Sequence, residues 1–307
     1  MPENKKQSLS DAIKDRSIRS YLYLDLSVEE LIDKMENLIL RDIGDSSEVP
    51  FTAKVRDYTG AWDEEGGSWL VKEIDRKETC PHKLQEIAYY MDFLLNTPAA
   101  PTIVVFLEGH VYRATKLLKS ALQISSYDYL TMPFKLALAN DLINRWLFFD
   151  EDRNPNNYMV VHEASGKPHI VAIDYNKADL HTESMKITGE SKKFGWHRKE
   201  KTRFLTLLKP EHFQQFNICD FETRLNTLMS IDRCLLKGIC ARVFDCDMID
   251  LHDIEATAEL VTNNLIKRRE YINGYFRRWF KPGDDHREKR HEDRYAGLGK
   301  SFLDYYT

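Results

Sequence analysis

The chain has 307 residues, of which 42% are apolar and 30% charged, and a formal net charge of −5. That composition fits one large soluble domain or two lobes around a cleft, and the acidic balance argues against a uniform nucleic-acid binder. No apolar run approaches the roughly 20 residues that span a bilayer, and MPENKKQSLSD lacks the apolar stretch of a secretory signal, so a soluble, cytoplasmic protein is expected.

The elements follow in chain order. Ser8 to Tyr23 and Ser27 to Asp42 read as helices. The second opens with Ser27 and Glu30 in capping-box register, and Leu31, Met35 and Leu38 follow at helical spacing. PFTAKVRDY and GGSWLVKEI read as two strands of a hairpin joined by the turn formers of DYTGAWDEEGG. PHKLQEIAYYMDFLL is helical, with Leu84, Ile87, Tyr90 or Met91 and Leu94 on one face. TIVVFLE and HVYRATKLL follow as strands around Gly109. FKLALANDLINRWLFF is an apolar helix that stops at the polar loop DEDRNPNN. YMVVHE and HIVAID form a second hairpin about ASGKP, and helices are expected over 203–216, 220–237 and 251–281. The expected organisation is a helical prefix over 1–45, a small antiparallel-sheet lobe over 46–120, a mainly helical lobe over 121–281 and a loosely ordered basic tail over 282–307. The fold class is α+β.

The sharpest chemical signal is DRNPNN followed by a hairpin that ends in Asp174. Phosphoryl transfer needs oxygen ligands for magnesium, and a carboxylate that orients or deprotonates the acceptor hydroxyl. A loop with Asp152 and, five residues on, Asn157 can aim both side chains into one cleft, and the hairpin can return Asp174 to face them. Asp150 lies two residues before Asp152, but only Asp152 keeps the five-residue offset to Asn157. A polar surface loop capped by Asx turns explains the same residues without chemistry. In the first lobe, Lys72 within WLVKEI can reach phosphate oxygens from a buried strand, with Glu86 on the next helix as its partner. An outward-facing strand lysine and a helix-surface carboxylate would account for the same two residues more plainly.

Strand lysine, helix glutamate, DRNPNN and a strand-terminal Asp in VAID resemble the HipA-like kinases, with the type II phosphatidylinositol 4-kinases as distant cousins. LIKRREYINGYF is similar to the closing helix of that group. The resemblance implies a bilobal protein-kinase-like fold, ATP and Mg2+ as cofactors, and a protein Ser or Thr as acceptor. It implies that Asp152 is the catalytic carboxylate, Asn157 and Asp174 the magnesium ligands, and Lys72 the phosphate-contacting lysine held by Glu86. Arg153 would brace the loop, and the backbone of Thr115, Lys116, Leu117 and Leu118 would meet adenine.

Two features depart from conventional kinases. DYTGAWDEEGG has no GxGxxG, although Gly60, Gly66 and Gly67 could admit phosphate to backbone amides, and IDYNKA stands where a glycine-containing switch would be.

The aromatics Tyr271, Tyr275, Phe276, Trp279 and Phe280 interleave with Lys267, Arg268, Arg269, Arg277 and Arg278. A phosphoinositide kinase would use such a helix on an anionic membrane, whereas core packing with a basic outer face is the plainer account. The same fold also accommodates a binding module without catalysis, or transfer of AMP. The histidines His162, His169 and His181 need no ligand role. The five cysteines, Cys80, Cys219, Cys234, Cys240 and Cys246, lack a CxxC pair and read as reduced thiols.

Overall fold

The computed structural model describes residues 17–44, 58–107, 109–118, 121–132, 134–150, 155–163, 165–181, 208, 210–213, 215–245 and 253–280. Their contacts form two units. The first draws on residues up to Ile124 with Tyr158–Asp174 and Ala241–Ile254, and the second on Ser125–Asn157, Tyr175–Cys240 and residues from Glu255 onward.

The first unit begins with α1 (Ile18–Tyr21) and α2 (Val28–Glu36). The capping box forms as its spacing predicts: Ser27 Oγ accepts from the Glu30 amide, and Glu30 accepts from the Ser27 amide. The helix stops six residues short of the expected Asp42. The Asn37 side chain donates to the Asp33 carbonyl at 2.8 Å, and β1 (Arg41–Gly44) begins four residues later. Of the helix expected over Ser8–Tyr23 only α1 forms among the described residues: Ser17 is extended (ψ 155°) and caps it by accepting from the Ser20 amide, and the helix ends at Tyr21, with Tyr23 left-handed at φ 64°.

Five strands make one antiparallel sheet in the order β1-β2-β3-β5-β4, with β2 (Thr59–Trp62), β3 (Ser68–Glu73), β4 (Thr102–Leu107) and β5 (His110–Lys116). The expected strand PFTAKVRDY lies outside the described residues up to Tyr58. The strand that pairs with β3 is instead TGAW, a stretch whose composition suggests a turn. The turn is shorter, because the Asp63 carboxylate gathers the amides of Glu65 and Gly67 and the indole of Trp69. Gly109 closes the β4–β5 hairpin at φ 89°, a conformation that glycine adopts without steric cost.

The helix α3 (Thr79–Leu94) packs on β4. A second antiparallel sheet, β6-β7-β8, joins β6 (Leu122–Gln123) to the hairpin β7 (Tyr158–His162) and β8 (Pro168–Ala172). Ala100 donates to the Ala172 carbonyl, and the Ala172 amide donates to Pro98, both at 2.9 Å, which ties β8 to the segment before β4. Between α1 and this hairpin, Ile18, Leu22, Leu24, Ala100, Leu118, Met159 and Val171 form one buried cluster.

The second unit is helical: α4 (Phe134–Phe148), α5 (Pro210–Phe213), α6 (Cys219–Ser230), most of α7 (Arg233–Phe244) and α8 (Ile254–Trp279). The helix expected over 220–237 is two helices. Ile231 is extended, and Asp232 Oδ1 then caps α7 by accepting from Cys234 and Leu235. The core is aromatic, with Phe221 centred among Phe216, Phe276 and Phe280 at centroid distances of 5.8, 5.0 and 4.7 Å. Trp146 meets Tyr275 and Phe276 edge-on.

Candidate active site

The loop that follows α4 starts from a strained helix end. Phe149 adopts φ 57°, its amide donates to Trp146, and the Asp150 amide donates to Arg145. This is a Schellman cap with a bulky residue where glycine is usual. What holds it is the interior. Arg145, 1% exposed, is bound by Asp141 through contacts of 3.1–3.2 Å and lies 3.6 Å from the Asp150 carboxylate, itself 1% exposed. Its guanidinium also sits over the rings of Phe148 and Tyr175 at 4.9 and 5.2 Å. Asp150 is therefore committed to a buried ion pair within the second unit. Asp152 and Arg153 lie outside the described residues.

Asn157 closes a single 3-10 turn, Pro155–Asn157, and is buried. The next residue, Tyr158, pairs with Ala172 in the β7–β8 register, and Asp174 follows two residues later. The chain thus enters the hairpin from Asn157 and leaves toward Asp174 at the same end. Asp174 has φ 62°, a left-handed conformation rare for residues with a side chain and concentrated at functional sites. One carboxylate and one amide are hard oxygen donors. They suit magnesium, which keeps several waters and takes few protein ligands. Among the described residues no group of three His, Cys, Asp or Glu side chains forms a denser cage.

On β3, Lys72 stands opposite Arg113 in the ladder, so the two share a sheet face. Arg113 donates to Gln85 of α3 at 3.1 Å and to the Tyr58 hydroxyl, which identifies that face as the one turned to α3. Lys72 Nζ is 5.8 Å from the Tyr58 ring centroid. The expected Lys72–Glu86 pair is not the one formed. Glu86 takes Lys83, one helical turn earlier, at 3.0 Å, and accepts from the Val104 amide at 3.2 Å. The carboxylate thereby caps an amide of the edge strand β4. Burial pushes its proton affinity up, while Lys83 and the Val104 amide pull it down.

The segment from Thr115 to Leu118 is closely fastened. The amides of Lys116 and Leu117 donate to Pro101 and Ser68, both at 2.8 Å. The Leu117 carbonyl accepts from the Tyr21 hydroxyl at 2.9 Å. Lys116 Nζ donates to Tyr23 at 2.8 Å and lies over the rings of Tyr21, Tyr23 and Trp69. The Gly67 amide, a candidate phosphate donor, is 2.6 Å from the Asp63 carboxylate, so an anion already occupies it.

On α8 the basic residues largely point into the protein's own structure. Arg268 is 1% exposed, Arg269 donates to the Ile231 carbonyl, and Arg277 donates to Asn273 and Asn226. His169 pairs with Glu163 at 2.9 Å, and burial lowers the pKa of His169 and His181.

Sequence reading misses Arg145 and Asn264, and counts Arg268 with a basic outer face although it is buried. Two of them carry a recognisable signal. Arg145 lies four residues after Asp141 in an apolar helix, and Arg268 falls on the stripe Val261, Leu265, Ile272, where an apolar residue is expected.

No protein-family model matches the chain, and no curated protein matches it. Among solved structures, the chain is similar to the proinflammatory kinase CtkA of Helicobacter pylori, with a TM-score of 0.50 and 11% identity over 78% of this chain and 94% of that one. An antiparallel sheet carrying one helix, a hairpin ending at Asp174 and a helical unit agree with that likeness: the chain has a protein-kinase-like α+β fold.

Proposed function

We propose that this chain is an ATP- and magnesium-dependent kinase of the HipA-like type, acting on a Ser or Thr of a protein. The observation that carries the reading is the strained carboxylate Asp174, placed at the end of the hairpin that Asn157 opens, in a chain of kinase-like fold. Asp174 and Asn157 would hold magnesium, which supplies charge neutralisation on the phosphates when bound.

The remaining roles belong to the chain's own residues. Asp152 accepts the proton of the acceptor hydroxyl as its oxygen bonds to the γ-phosphorus and the bond to the β,γ-bridging oxygen breaks, releasing ADP. Arg153 braces the Asp152 loop. Lys72 meets phosphate oxygens from the α3-facing side of β3, without Glu86 as its partner. The backbone of Thr115, Lys116, Leu117 and Leu118 would line the adenine site by shape and not through the Lys116 and Leu117 amides or the Leu117 carbonyl, which already have partners. A protein acceptor is favoured over a phosphoinositide because the α8 arginines Arg268, Arg269 and Arg277 are engaged within the chain.

Thermal melting with and without magnesium-ATP tests this directly. Ligand at 100 times its Kd stabilises the native state by about 2.7 kcal/mol, so the wild type should melt several degrees higher. Asp174→Asn should show no such shift while melting normally without ligand. A wild type that ignores magnesium-ATP would overturn the proposal.

A further inference from the structure

The second unit contains a clasp that the residues assigned above do not explain. Arg268 Nη1 donates to two carbonyls at once, Leu147 at 3.0 Å and Asp179 at 2.7 Å. One turn earlier on the same face of α8, Asn264 Nδ2 donates to the carbonyls of Leu180 and His181, at 2.9 and 3.1 Å. Asn264 is 0% exposed. The Asp179 amide completes the join by donating to the Phe148 carbonyl at 2.9 Å. Two stretches distant in sequence, 147–149 and 179–181, are thus laced together and fastened to one helix.

The placement of these stretches gives the clasp its meaning. Leu147 lies five residues before Asp152, and Asp179 lies five residues after Asp174. The Arg268 guanidinium also covers the ring of Phe149 at 5.1 Å, the residue in the left-handed conformation that turns the chain out of α4. A buried guanidinium is costly, since the carbonyl dipoles and the nearby Asp179 carboxylate only partly offset its leaving water. Val261, Leu265 and Ile272, on the same stripe of α8, show what packing alone would place there. Burial pulls the Arg268 pKa down to about 10, so it remains a cation at neutral pH.

We propose that Arg268 is a positioning residue of the phosphotransfer site, setting the spacing between the segment that leads into Asp152 and the segment that leads out of Asp174. Asn264 assists it. The inference rests on the kinase reading, with Asp152 and Asp174 in the roles given above. Arg268 touches neither substrate nor metal; it acts through the two backbones it joins, as outer groups act on the ligands they orient.

The test compares Arg268→Met, Arg268→Lys and Phe276→Leu in the full chain, using ATP turnover at varied magnesium. Phe276 is buried in the same helix two turns beyond Arg268, packs on Trp146 beside Leu147, and controls for lost stability and packing without removing a clasp hydrogen bond. Arg268→Met should lower kcat by roughly 10- to 100-fold and raise the half-saturating magnesium concentration severalfold, the usual scale for loss of an orienting group. Arg268→Lys keeps the cation but replaces the guanidinium fork with a single ammonium, so it should fall between wild type and Arg268→Met in both kcat and magnesium dependence. Phe276→Leu should lower Tm and leave kcat and magnesium dependence unchanged.

If Arg268→Met does not fold, Arg268→Lys carries the test through amide exchange: faster exchange at Asp179 together with a changed magnesium dependence supports the clasp. Arg268→Met, or in its place Arg268→Lys with faster exchange, retaining wild-type kcat and magnesium dependence would overturn the proposal. So would Phe276→Leu shifting both as strongly. A wild type with no turnover would instead sink the kinase reading beneath it.

Discussion

Replacing Arg145 with Met should be among the most destabilising single changes in the second unit. The side chain is 1% exposed and bridges Asp141 and Asp150, both also buried. At 3.6 Å from Asp150, and with an effective dielectric of ~20, the Coulomb attraction alone is about 4–5 kcal/mol. Methionine matches the stem but leaves two buried carboxylates without their counter-charge, for which a loss of about 3–5 kcal/mol is typical.

Asp150→Asn should be milder, about 1–3 kcal/mol, because the Arg145–Asp141 pair survives it. Guanidinium unfolding of the two single variants and the double variant would give the coupling energy. The double variant should be less unstable than the sum of the two. Asp150→Asn should also keep ATP turnover, since its carboxylate is structural. A loss under 1 kcal/mol for Arg145→Met, or abolished turnover in Asp150→Asn with Asp152→Asn active, would refute the reasoning.

Three further outcomes follow from other parts of the structure. A Cβ at Gly67 would meet Asp63 Oδ2 at 2.4 Å. Gly67→Ala should therefore displace that carboxylate from three donors and cost about 1–3 kcal/mol in chemical denaturation, whereas Ser126→Ala on an exposed turn should cost under 0.5. Burial pushes the Cys240 thiol up to about 12 and raises the hydroxyls of Tyr89 and Tyr90 as well. The folded state then keeps protons that the unfolded state releases, so stability should fall as pH rises from about 9 to 12, by up to ~1.4 kcal/mol per pH unit for each group. In the same range Cys240 should resist a thiol reagent that labels exposed Cys219 and Cys234, and labelling at equal rates would contradict its burial. Burial lowers the pKa of His82, His169 and His181, so the unfolded state binds protons first as pH falls below about 6.5. Tm should drop between pH 6.5 and 5, and a Tm flat over that range would contradict the partial burial of His82 and His169.

What the sequence disclosed was local. The capping box at Ser27, the helix α3, the strands about Gly109 and the hairpin before Asp174 each rest on a spacing that neighbouring residues determine, although the strand expected to end in Asp174 stops at Ala172. The helix break at Ile231 is hidden because the pattern of apolar residues runs across it, and one Asp side chain decides the matter by capping α7. The strand at Thr59–Trp62 is hidden because its Gly and Asp neighbours advertise a turn, and only pairing with β3 reveals it. For Glu86, two cations were within plausible reach. Lys83, one turn away on the same helix, prevails over Lys72, which needs a particular sheet-to-helix geometry to compete. The clasp at Arg268 joins carbonyls 32 residues apart in sequence, and backbone acceptors have no side-chain signature.

Parallel incubations with ATP labelled at the γ or the α phosphorus, reading protein and lipid fractions separately, address the central claim most directly. With magnesium present, γ label should appear in protein, α label should not, and both Asp152→Ala and Asp174→Ala should abolish the signal while folding normally. Transfer of α label would mean AMP transfer, γ label confined to lipid would mean a phosphoinositide acceptor, and γ labelling that persists in Asp174→Ala would contradict the site.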